Sequence, residues 1–90
     1  MLLKELMSQY NINLSLSDNA QNIEVNDDFS GNSLVSISDT EINITCTLED
    51  VSRVVNFNFD KNTITELFIS DLGIGGRVYS LKGEPIKIIN

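Results

Sequence analysis

Ninety residues are enough for one domain and too few for two. Thirteen acidic residues against six basic ones leave a formal charge of −7 and a pI near 4.2, which argues against general DNA or RNA binding, because phosphate neutralisation needs clustered Lys and Arg. The absence of His, with a single Cys and no Trp, excludes His-based catalysis, Cys–His nucleophile pairs and Cys/His zinc sites. No cofactor or metal is expected.

The chain opens on a helical pattern. Leu2, Leu3, Leu6, Met7 and Tyr10 recur at three- and four-residue spacing between polar residues, and Asn11 suits the left-handed position just past a helix end. So short a helix must be held by packing its apolar face onto something else.

From Ile12 the period changes to two. Ile12, Leu14 and Leu16 alternate with polar residues, as do Ile23 and Val25, Val35 and Ile37, Ile42 through Leu48, and Val55, Phe57 and Phe59. Ile64–Ser70, Arg77–Leu81 and Ile86–Ile89 complete about eight candidate strands. One apolar and one polar face per strand is the mark of antiparallel sheet wetted on one side. The expected fold is therefore a single α+β domain over 1–90, mainly β. A short N-terminal helix packs on a curled antiparallel meander of six to eight strands, open or half-barrel. Cys46 falls among the apolar positions and reads as a small buried hydrophobe.

Turn chemistry punctuates the strands. Leu16-Ser17-Asp18, Ile37-Ser38-Asp39 and Ile69-Ser70-Asp71 share one exit signature, read as Asx-turns in which the Asp carboxylate folds back on the backbone. Asp60-Lys61-Asn62 reads as a three-residue hairpin loop with Asn62 at positive φ, and Glu49-Asp50 as a further hairpin. Gly83-Glu84-Pro85 breaks the last hairpin, with Pro85 opening an edge strand. Ile86-Lys87-Ile88-Ile89 is apolar on both faces, so it is either an edge covered by another chain or a strand sandwiched in the core.

Two loops mimic known sites and fail on inspection. Asn26 to Asn32 has calcium-loop oxygens, but its twelfth position is Ile37 rather than a bidentate Glu. Asp71 to Arg77 carries three glycines but lacks the Gly-Lys-Ser/Thr ending and the following helix of a phosphate loop. It reads as a glycine-rich hairpin or bulge, with Arg77 beside it placed to contact a partner. Neither a nucleophile elbow nor a Ser-x-x-Lys motif is present, and the expectation is a protein that is not an enzyme.

The charge map is the most informative feature. The 48 residues between Lys4 and Arg53 contain nine acids and no base, whereas from Arg53 onward five bases meet four acids. Acids crowded at turns create a negative field that steers a basic partner, or simply keep an edge-bearing sheet soluble. The favoured expectation is a stoichiometric inhibitor of the immunity-protein or anti-defence type. It would be monomeric alone and would form a heterodimer with a basic protein such as a nuclease toxin or other nucleic-acid-processing enzyme. Asp27, Asp28, Asp39, Glu41, Glu49 and Asp50 would stand where substrate phosphates lie. The alternative is a non-catalytic assembly subunit or a self-associating module using an open sheet edge. Lys4 and Glu5 interrupt the apolar start, no run is long enough to span a membrane, and a single Cys, unable to form an intrachain disulfide, suits a reducing compartment. A cytoplasmic location is expected, with no direct contact to nucleic acid or membrane.

Overall fold

The computed structural model describes residues 1–29, 33–48, 51–61, 63–70, 75–80 and 83–89; the side chains of Asp28, Leu48 and Val51 lie outside the described set. Helix α1 (Leu3–Gln9), a single-turn helix α2 (Asp18–Gln21) and a 3-10 turn (Asp27–Phe29) precede six strands. These are β1 (Ser33–Ile37), β2 (Glu41–Leu48), β3 (Val51–Asp60), β4 (Thr63–Ser70), β5 (Gly76–Tyr79) and β6 (Pro85–Ile89). They form one antiparallel sheet in sequence order, unclosed, with β1 and β6 at its edges.

Helix α1 ends as its sequence predicts. Asn11 takes φ +56°, the Ile12 N–H donates to the Met7 carbonyl at 2.9 Å and the Asn11 N–H to the Ser8 carbonyl at 3.2 Å. This pair of bonds is a Schellman motif, which satisfies carbonyls the last turn would otherwise leave open and turns the chain onto the sheet. Leu3, Leu6 and Met7 are buried along one side of the helix.

The sheet's inner face is built from transverse rows. Val35, Ile44, Val55, Ile69, Arg77 and Ile88 run from edge to edge through successive pairings, and Ile37, Ile42, Phe57, Leu67 and Tyr79 form the next row. Because pairing keeps opposed residues on one face, the apolar alternation of each strand adds to its neighbour's. Phe57, Val55, Ile44, Leu67 and Ile69 are buried at the centre, Cys46 with them, and they join Leu3, Leu6, Met7 and Phe29 in one core. Phe68 and Val78 pair on the opposite face, where the Phe68 ring lies against Gly76, whose missing side chain makes the room.

Two of the eight expected strands are not in the sheet. Ile12 to Leu16 is extended, with Ile12 buried and Leu14 and Leu16 half-buried, but it touches the ladder only through one parallel bridge, Ser15 to Thr63. Ile23 and Val25 are buried likewise, and Glu24 bridges Leu2 instead. Both segments run across the helical side of the core. Their alternation records a half-buried extended backbone, which does not require a ladder partner.

At each serine-aspartate exit the serine makes a side-chain bond; Asp71 lies outside the described residues. Ser17 caps α2 by accepting from the Ala20 N–H at 3.2 Å, Ser38 Oγ donates to the Glu41 carbonyl at 3.3 Å, and Ser70 Oγ to the Gly75 carbonyl at 2.7 Å. Ser17-Asp18 therefore starts a second helix, as an N-cap serine does. The β3–β4 connection is a two-residue loop, since Asp60 pairs with Thr63, and Lys61 supplies a positive φ of +51°; Asn62 lies outside the described residues. Leu48 pairs with Val51, so β2 and β3 do form the expected hairpin. In the β5–β6 hairpin Gly83 has φ +81°, and an added Cβ would come within 2.5 Å of the Ala20 nitrogen. Only glycine lets this hairpin lie so close to α2.

Candidate functional site

The acidic candidates among the described residues do not share one surface. Asp39 sits in the β1–β2 turn and Glu41 begins β2, both exposed. Glu41 pairs with Asn58, which pairs in turn with Glu66, so two carboxylates stand about 10 Å apart across one strand on the outer face. The Phe59 N–H donates to the Thr40 carbonyl at 2.9 Å, which brings exposed Asp60 to the same end. Asp39, Glu41, Asp60 and Glu66 thus stand at one end of the sheet, and the last two acids were not singled out by sequence reasoning. Only a register between β2, β3 and β4 could have found them.

Asp27 and Asp28 belong elsewhere. Their 3-10 turn is anchored by Phe29, fully buried, whose carbonyl accepts from Ser33 Oγ at 2.9 Å and from the Tyr10 hydroxyl at 3.1 Å. Ser33 pairs with Cys46, five residues along β2 from Glu41, or about 17 Å. Asp27 is already engaged by the Met1 ammonium, which also donates to the Val25 carbonyl at 3.0 Å and lies 3.7 Å from Glu24. The hydrogen bond it donates to the Asp27 carboxylate raises the ammonium's pKa above its usual value. Glu49 and Asp50 lie outside the described residues; the pair that flanks them, Leu48 and Val51, is at the end of β2 opposite Glu41.

Arg77 is half-buried and bonded within the chain. Its guanidinium donates to the Glu24 carbonyl at 3.3 Å and lies 5.7 Å from the Tyr79 ring, a cation–π distance. It ties the sheet to the extended 22–26 segment.

An open groove of about 280 Å³ runs between α1 and the 12–16 segment, with Lys4 its one ionisable side chain. A single ammonium supplies no acid–base pair there. Among the described residues no cluster of Cys, Asp or Glu side chains is arranged to hold a metal ion. None of their helices is long and apolar enough to cross a membrane.

The most conspicuous surface is apolar, at the two sheet edges. Leu34 is 79% exposed and Ile37 68% on β1, while Ile86 is 61% and Ile88 67% exposed on β6. Val35 and Ile89 complete the set, so every exposed large hydrophobe among the described residues stands on an edge strand. The sandwiched-strand reading of Ile86–Ile89 is thereby overturned, because topology leaves β6 with one neighbour. No known family, curated protein or solved structure matches this chain.

Proposed function

We propose that the chain is a non-catalytic protein-binding module that takes its partner along the open edges of its sheet. What supports this is that, among the described residues, the six exposed large hydrophobes all stand on β1 and β6. Apolar area costs about 25 cal/mol per Å² when left in water, and an unpaired strand edge offers ready backbone donors and acceptors beside it. A partner strand satisfies both at once.

A second reading, the stoichiometric inhibitor of a basic nucleic-acid-processing protein, is favoured by one observation. Asp39, Glu41, Asp60 and Glu66 share one end of a molecule of net charge −7, and such an end accelerates encounter with a basic surface. Capture on immobilised protein separates the two. Retention of a partner by wild type and by Asp39→Lys/Glu41→Lys, with loss in Leu34→Lys or Ile88→Lys, supports edge binding. The reverse pattern, with elution as salt rises from about 0.05 to 0.5 M, refutes edge binding and supports the inhibitor.

A further inference from the structure

We propose that β1 is the pairing edge of a two-fold homodimer, in which the β1 strands of two copies lie antiparallel and join two six-stranded sheets into one. The dimer is one form of the edge binding proposed above, with the occupant named as a second copy of this chain.

The two edges are not equivalent. β6 carries the devices that discourage pairing: Pro85, which has no N–H to donate, Lys87 in mid-strand, and a register shift against β5 between Val78 and Tyr79. β1 carries none of them. Its residues Ser33, Leu34, Val35, Ser36 and Ile37 include no charge and no proline, and they pair with β2 over five positions without a break. A strand edge that is regular, uncharged and apolar is a template for another strand.

The same five residues are complementary to themselves. A two-fold axis at Val35 sets Val35 opposite its own copy, Leu34 opposite Ser36, and Ser33 opposite Ile37. Each pairing keeps like face with like face, Val35 and Ser33/Ile37 on the inner side and Leu34/Ser36 on the outer, and the latter two set a large apolar residue against a small polar one. Moving the axis to Leu34 or Ser36 also opposes no charges within β1. A β6 pair centred on Lys87 would put two ammonium groups face to face, which is destabilising. Joining β1 of one copy to β6 of the next would leave a free edge of each kind and add copies without closure.

Net charge of −7 on each copy opposes association, yet the geometry keeps the two Asp39 turns apart. Asp39 lies four residues beyond Val35, so the two Asp39 positions fall about 26 Å apart along the paired strands, against a screening length of about 8 Å at physiological salt. A five-residue strand of about 17 Å buries less than a standard interface does. The dimer is therefore weak, with a dissociation constant of about 10–100 µM.

Sedimentation equilibrium of the 90-residue chain tests this, over loadings from about 5 to 500 µM. Wild type is expected to move from the 10.0 kDa monomer toward twice that mass. Leu34→Lys and Ile37→Lys should weaken association at least about tenfold, and Ile88→Lys should leave it unchanged. All three positions are exposed, so matching circular dichroism and Tm will show that the variants fold. A wild type that stays monomeric at the highest loading overturns the proposal. So does a dimer broken by Ile88→Lys alone, or a mass that climbs past the dimer. If the chain is monomeric yet retains another protein in a Leu34-dependent way, self-pairing falls and edge binding stands. If it is monomeric and neither edge substitution affects capture, both fall.

Discussion

Replacing Gly83 with Ala probes the contact on which the β5–β6 hairpin depends. Gly83 has φ +81°, and an L-residue there costs about 1–2 kcal/mol in backbone strain. An added Cβ would also sit 2.5 Å from the Ala20 nitrogen, 2.8 Å from its Cα and 2.9 Å from the Asn19 carbonyl carbon. These are backbone atoms, so no side-chain rotation relieves the overlap. The hairpin and α2 must part, disturbing Ala20, which is buried in the core. Overpacking of this kind costs about 1–3 kcal/mol. Alanine stiffens the unfolded chain and returns about 0.4–1 kcal/mol, leaving a net loss of about 2–4 kcal/mol. For a domain of this size that is a fall in Tm of about 10–20 °C. Urea and thermal unfolding followed by circular dichroism measure it. Because the damage passes through α2, removing the Ser17 cap should cost less in the Gly83→Ala background than its usual 0.5–2 kcal/mol or so. A loss below about 0.5 kcal/mol, or full additivity with Ser17→Ala, refutes the tight hairpin–helix contact.

Phe57→Ala removes a fully buried ring at the centre of the sheet and should cost about 3–5 kcal/mol, read from the urea midpoint at unchanged m-value. Asn11→Gly should be neutral or stabilising, whereas Asn11→Val should cost about 1–2 kcal/mol, since only the second resists φ +56°. With its pKa held above the ordinary 8.0 by Asp27, the Met1 ammonium stabilises the fold fully below pH 8 and loses that contribution as pH rises through its folded-state pKa. Asp27→Asn should flatten the alkaline fall in stability; an unchanged profile above pH 8 contradicts the assignment. Cys46, buried in the sheet, should react with a thiol reagent at the rate of unfolding, and immediate labelling of native protein contradicts its placement.

Much of this architecture is legible in the chain itself. The change of period at Asn11 separates helix from extended chain, and alternation from Ile42 to Leu48 and from Val55 to Phe59 fixes which side chains face the core. Both are local consequences of how successive Cβ atoms point. Asn11 and Gly83 likewise announce positions where an ordinary side chain resists the backbone. The acidic end is less legible, because Glu66 joins Glu41 only through the registers of β2, β3 and β4 with Asn58 between them, and register is a non-local choice.

Tertiary structure alone decides which extended segments enter the sheet. Ile12 to Leu16 alternates more cleanly than β1, yet it lies over the core while β1 forms an edge. Periodicity reports orientation and burial and is silent on where a strand's hydrogen bonds go. The same holds for Ile86 to Ile89, whose two apolar faces suit a buried strand until the strand order leaves it exposed. Local side-chain geometry determined the faces of this protein; the pairing of distant backbones decided its edges.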